Sequence, residues 1–239
     1  MLWWAREMDV FWLEQSAADV PAHDDWLSAS ETRVLNGLRF AKRRADWRLG
    51  RWTAKRALAV YLNVPGDPRA LTAIEITTEP SGAPQAIFAN KPAAVTISLS
   101  HRAGRAICAI ARSGAVLGCD LEMIEPRSEA FATDYFTAEE QALVVRSPSA
   151  DRYRLLALLW SAKESALKAL RVGLRLDTRC VIVSLAGGLS RDGGDGWHPL
   201  EARYDDNTFH GWWHNQGNFL RTLVGAPEPV EPVPLKIRG

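Results

Sequence analysis

Each half of this chain carries the same order of elements: a strand, a short helix, a long helix, then several strands. In the first half, residues 10–13 read as a strand, and Ser28 or Ser30 caps a short helix over 31–38. A long helix over 42–62 follows, ended by Asn63 and Pro65. Apolar runs at 71–77, 85–88, 95–99 and 105–111 then read as strands between Gly and Pro turns. After Ser113-Gly114 an acidic strand opens the second half, and Thr137 starts a short helix with Glu139 and Glu140 in its first turn. A second long helix spans 151–170 and stops near Gly173. Strands are expected at 180–185, 198–204, 208–214 and 218–224, with a glycine-rich loop over 187–196 between the first two. This order suggests a pseudo-duplicated α+β architecture, although no residue-level repeat is visible. The expected division is an N-terminal lobe over 1–113, a C-terminal lobe over 114–225 and a Pro-rich tail over 226–239, extended or disordered.

A chain of 239 residues buries a substantial core, and 47% hydrophobic with 24% charged residues belongs to a soluble globular protein. The net charge of +1 gives no overall attraction for nucleic acid, so a polyanion must be met by a local patch. Cys108, Cys119 and Cys180 lack zinc-ligand spacing and sit in apolar strand candidates, which predicts buried free thiols. Charges at Arg6, Glu7 and Asp9 interrupt the N-terminus too early for a signal-peptide core, and no apolar run approaches the ~20 residues of a membrane span. The expectation is a cytoplasmic protein without a membrane partner.

Chemistry concentrates in two motifs. In Gly118-Cys119-Asp120-Leu121-Glu122, strand alternation puts Gly118, Asp120 and Glu122 on one face and Leu117, Cys119 and Leu121 on the other. Two carboxylates aimed one way repel unless a cation sits between them, and a divalent metal is the simplest answer. In Trp160-Ser161-Ala162-Lys163-Glu164-Ser165-Ala166-Leu167-Lys168, a third carboxylate, Glu164, lies one helical turn before Lys168. Together they could hold Mg²⁺ on a pyrophosphate and handle a proton. The paired acids also fit a solvated sheet edge, and Glu164 with Lys168 an ordinary i,i+4 ion pair. A cationic stripe, Arg44, Arg48, Arg51 and Lys55, runs down the first long helix and suits several phosphates, or else a solvated face. His101 sits at a strand exit beside Ser100 and Arg102, where ligands often bind.

In this order the motifs resemble the Sfp-type 4′-phosphopantetheinyl transferases. The matching elements are Ser100-His101, Gly118-Cys119-Asp120-Leu121-Glu122, Phe136-Thr137-Ala138-Glu139-Glu140 and the Trp160 to Lys168 run, with Gly173-Leu174 after it. Leu49-Gly50-Arg51 and Ala54-Lys55 also fit, and the resemblance covers about residues 10 to 215. It implies a two-lobed α+β monomer, each lobe a long helix on a three-stranded antiparallel sheet, with coenzyme A in the cleft between them. It further implies Mg²⁺, or Mn²⁺ in its place, on Asp120, Glu122 and Glu164. Coenzyme A would meet Arg44, Arg51, Lys55, Ser100, His101, Lys163 and Lys168. Lys168 would also serve the leaving oxygen, with Glu164, a water it orients, or Glu140 as base. The partner would be an apo carrier protein, acyl or peptidyl, docked around 123–136, with Met123, Ile124 and Arg127 as contacts. Gly82-Ala83-Pro84 and Ser98 depart from the family pattern, which often has Gly-Lys-Pro and asparagine there. Two alternatives stay open: a nucleic-acid-binding module built on the basic helix, and a Mg²⁺-dependent nucleotide pyrophosphohydrolase.

Overall fold

The computed structural model describes residues 7–172, 176–185 and 196–237. The Gly173-Leu174 pair and the part of the glycine-rich loop over 187–195 lie outside the described residues. In the first half, β1 (Phe11–Ser16) leads to α1 (Ala29–Gly37) and the long α2 (Ala41–Tyr61), then a single turn, α3 (Pro68–Leu71). The strands β2 (Ile74–Thr78), β3 (Pro84–Phe88), β4 (Lys91–Pro92), β5 (Val95–Arg102) and β6 (Arg105–Arg112) follow. In the second half, β7 (Val116–Met123) precedes α4 (Glu129–Tyr135), α5 (Ala138–Arg146) and the long α6 (Arg152–Ala169). It closes with β8 (Ile182–Leu185), β9 (His198–Tyr204), β10 (Asn207–Gln216), β11 (Phe219–Ala226) and a short β12 (Val233–Pro234).

The α+β class holds, with larger sheets than the expected three strands. The C-terminal half forms five strands in the order β7-β11-β10-β9-β8, all antiparallel. The N-terminal half forms β12-β1-β6-β5, with β2-β3-β4 as a separate sheet against β5. The fourth strand is the Pro-rich tail, which runs parallel to β1 instead of dangling. Pro cannot donate to a ladder but tolerates an edge, and Val230, Val233 and Leu235 supply the donors to Met8, Val10 and Trp12. Leu235 and Ile237 then pack on the core under α2.

The two halves repeat each other at residue level. In the first, Ser28 and Glu31 form a capping box on α1, and Glu31 receives Lys55 of α2 at 2.5 Å. In the second, Thr137 and Glu140 form one on α5, and Glu140 receives Lys163 of α6 at 2.9 Å. The remaining carboxylate oxygen of each accepts a strand amide, Ile76 of β2 or Val183 of β8, at 3.1 and 3.2 Å. Behind this lies an internal match: Trp52-Thr53-Ala54-Lys55 against Trp160-Ser161-Ala162-Lys163.

The halves meet through a third apolar layer containing Val10, Ile107, Ala109, Leu117, Cys119 and Leu121. Leu117, Cys119 and Leu121 face it, so Gly118, Asp120 and Glu122 turn toward α6, as strand alternation requires. Gly118 is dictated by contact: a Cβ there would sit 1.8 Å from the Ser165 carbonyl and 2.8 Å from the Ala169 amide. Gly118→Ala is therefore expected to yield little folded protein, read as loss of the cooperative melting transition. Cys108 and Cys119 are buried as expected, but Cys180 lies in a short turn before β8 and is exposed. Among the described residues no helix is long and apolar enough to cross a membrane.

Candidate active site

Where β5 and β7 run side by side, side chains tie the lobes together. The Ser98 hydroxyl accepts the Cys119 amide at 2.9 Å, and the Ser100 hydroxyl donates to Asp120 Oδ1 at 2.7 Å. Lys168, rising from α6, donates to the same Oδ1 at 2.8 Å and to the Cys119 carbonyl at 3.0 Å. Asp120 and Glu122 are buried, so the solvated-edge reading of this strand falls. Asp120 Oδ2 is buried with no hydrogen-bond partner.

Charge in this corner is crowded. Glu164 is pushed up to about 7, first by burial, then by Asp120 and Glu122, with Lys168 opposing. Glu122 is also raised, by burial and then Asp120, while Arg127 and Arg102 pull it back. Burial alone would lower Lys168, yet Asp120, Cys119 and Glu164 together carry it above the ordinary lysine range. Lys168 is thus held as a cation despite its burial. An orphaned oxygen on Asp120 and two carboxylates driven toward neutrality fit a divalent cation, which would take up the excess negative charge. Among the described residues no three potential ligands are already gathered closely enough to hold an ion. Arg127 Nη2 holds Glu122 Oε2 at 2.8 Å, and Lys168 and Ser100 hold Asp120 Oδ1.

Other expected contacts lie elsewhere. Lys55 is fully buried and donates to the Trp26 and Leu71 carbonyls as well as to Glu31, so it cannot reach a nucleotide. Arg44 Nη1 donates to the Leu35 carbonyl at 2.5 Å, closing the end of α1. Arg48 pairs with Asp24 at 2.7 Å and donates to the Pro21 carbonyl. Arg44, Arg48 and Lys55 thus turn inward, because the end of α1 and the loop before it present carbonyls that need donors. Of the stripe's four members, Arg51 alone keeps a buried nitrogen, Nε, without a partner, while its guanidinium lies over Trp47. Lys163 and Glu140 are buried against each other, and Lys163 also reaches the Thr178 and Val181 carbonyls. Glu140 is therefore corrected from base, and Lys163 from ligand contact, to internal struts.

Ser100 and His101 point to opposite faces of β5. Ser100 serves Asp120, and His101 borders a hollow with Phe40, Lys42, Arg43, Asp46 and Trp47. Lys42 and Arg43 escaped the sequence reading because they sit off the i,i+4 stripe; both are exposed at the start of α2. His101 is held below the ordinary histidine value, first by desolvation, with Asp46 opposing and Lys168 and Lys42 adding. Arg127 is engaged within the chain: besides Glu122 it lies near Glu125 and over Phe131. Arg102 joins the same cluster through Glu122 and Glu125. Ile124 packs on the C-terminal core.

Asp120, Glu122, Glu164 and Lys168 all fall within a single recognisable stretch. Residues 116–209 match the family model of the 4′-phosphopantetheinyl transferase superfamily. A 2.31 Å crystal structure of a holo-(acyl-carrier-protein) synthase from Bacillus anthracis str. Ames in complex with CoA (3′,5′-ADP) aligns with 45% of this chain and 99% of its own. The identity is 19% and the TM-score 0.36. No curated protein matches.

A divalent cation held by Glu164 would bind with an affinity that depends on pH. Glu164, with its value near 7, is protonated below that point, and a cation must displace the proton. Titration calorimetry with Mg²⁺ is expected to show affinity falling by up to about tenfold per pH unit below 7 and levelling above it. Glu164→Gln should weaken that dependence to the part due to the raised Glu122; a wild-type profile flat from pH 5.5 to 8 would count against Glu164 as a ligand.

Proposed function

We propose that this protein is a 4′-phosphopantetheinyl transferase, moving the phosphopantetheine arm of coenzyme A to a serine of an apo acyl or peptidyl carrier protein. The observation that carries this reading is the buried, half-partnered Asp120 beside Glu122, Glu164 and Lys168, within the segment similar to that superfamily. Asp120, Glu122 and Glu164 would hold the divalent ion, Mg²⁺ or Mn²⁺. When bound, such an ion neutralises charge on the pyrophosphate.

The remaining work falls to side chains. The carrier serine oxygen attacks the β-phosphorus, the bond to the bridging oxygen breaks, and 3′,5′-ADP leaves. Glu164, or a water it orients, takes the serine proton. Lys168, held cationic by Asp120, serves the departing oxygen as charge develops there. Arg43, beside the His101 imidazole and a Lys42 paired to Asp46, lines an exposed hollow that suits a further phosphate, and Arg51 remains a candidate contact. The nucleic-acid reading loses its main support, since three of the four stripe cations are committed inside the N-terminal lobe.

Intact mass of apo carrier proteins after incubation with the protein, coenzyme A and Mg²⁺ tests the reading. Addition of one phosphopantetheine, lost with chelator, is the expected result. Release of 3′,5′-ADP with no carrier modified would instead mark a hydrolase.

A further inference from the structure

Beyond Lys168, the cleft between the lobes has a second cation on its wall. It encloses about 220 Å³, bounded by the loop Ser81, Gly82, Ala83 and Pro84, by the first half of β5, and by Leu117, Lys168 and Arg171. Arg171 lies two residues past the end of α6 and three past Lys168, and lines the same cavity. Lys168 is committed to Asp120, but Arg171 has one partner among the described residues, Glu79 in the turn after β2.

Two features set Arg171 apart. Its φ of 57° lies in the left-handed region, just after the last turn of α6, where glycine is the usual residue and a side chain is strained. Its guanidinium crosses to the opposite lobe and meets Glu79 Oε2 at 2.7 Å, with both side chains partly exposed (48% and 26%). An exposed pair of this kind contributes little to stability and exchanges readily for a better anion. It does not by itself explain why a strained arginine stands at the mouth of the cleft.

We propose that Arg171 binds a phosphate of the nucleotide co-substrate at the mouth of the cleft, and that Glu79 occupies the guanidinium until that phosphate arrives. The inference rests on the transferase reading, which supplies the phosphorylated ligand. A phosphate offers the planar fork two charge-assisted hydrogen bonds. Glu79 is anchored by its own turn, its amide donating to Ala83 and its carbonyl accepting from Gly82, so it stays behind when the guanidinium leaves. Ser81, whose hydroxyl reaches Glu79 Oε2 at 3.4 Å, keeps the vacated carboxylate hydrogen-bonded.

Titration calorimetry with coenzyme A and with 3′,5′-ADP, each with Mg²⁺, on wild type, Arg171→Ala, Arg171→Gly and Glu79→Gln provides the test. Both Arg171 variants are expected to bind at least one of the two ligands roughly tenfold more weakly. Glu79→Gln is expected to bind more tightly, because the competing charge is gone. Arg171→Gly relieves the backbone strain, so its melting temperature should hold or rise while affinity falls. Unchanged affinity in both Arg171 variants, with wild type binding normally, overturns the proposal. So does a loss of affinity in Arg171→Gly that is matched by a loss of melting temperature. If wild type binds neither ligand, the transferase reading fails first and takes the proposal with it.

Discussion

Asp120→Asn is expected to lower carrier modification by about 10²–10³-fold while the melting temperature moves by only a few degrees. Asp120 bridges the chemistry: Oδ1 accepts from Ser100 and Lys168, and Oδ2 is the buried oxygen left without a partner. Asparagine keeps the shape and an acceptor for Ser100, so the join between β5 and β7 survives. It removes the charge that raises Lys168 and one of the three carboxylates offered to the metal. Activity and metal affinity should therefore fall together, measurable by carrier mass shift and by calorimetry with Mg²⁺. Full activity in a folded Asp120→Asn variant would defeat the assignment of this corner as the active site.

Glu31→Gln and Glu140→Gln should each destabilise the protein by about 3–5 kcal/mol, because each leaves a buried lysine with an uncompensated charge. In a chain of this size that is about 6–20 °C in melting temperature. The lysines cannot relax to solvent: both are fully buried, and burial is the main force lowering their proton affinity. Each glutamate also closes a helix start and accepts a strand amide, so one substitution loosens three elements. Replacing both partners by apolar residues, as in Glu31→Leu with Lys55→Met, should recover only the part due to the unpaired charge, because the Ser28 and Ile76 amides still lose their acceptor. Calorimetric melting of the single and paired variants reads this directly. If Glu140→Gln lost activity with its melting temperature unchanged, the base role expected from the sequence would return.

The matched struts show where pattern reading stopped. The order of elements was legible because helix and strand periodicities differ, and Ser28, Thr137, Asn63 and Pro65 punctuate them. The residue-level repeat, Trp-Thr-Ala-Lys against Trp-Ser-Ala-Lys, is also written in the sequence. Amphipathic spacing draws attention to stripes and not to four-residue identities 108 positions apart. Lys55 belonged to the cationic stripe and Lys163 to the contacts the resemblance implies, and in both halves a glutamate three residues into the preceding helix draws the lysine inward instead.

By itself the sequence determined the alternation that aims Gly118, Asp120 and Glu122 one way, the helical turn that links Glu164 to Lys168, and the α+β order of each half. These follow from local backbone geometry, which neighbouring residues define. The inward turn of the Arg44–Arg48–Lys55 stripe, the parallel pairing of the tail on β1, the Arg127–Glu122 pair and the reach of Arg171 to Glu79 were decided only by tertiary structure. A cation's partner is whichever carbonyl or carboxylate the fold brings within about 3 Å, at separations that run from 5 residues for Arg127 and Glu122 to 92 for Arg171 and Glu79.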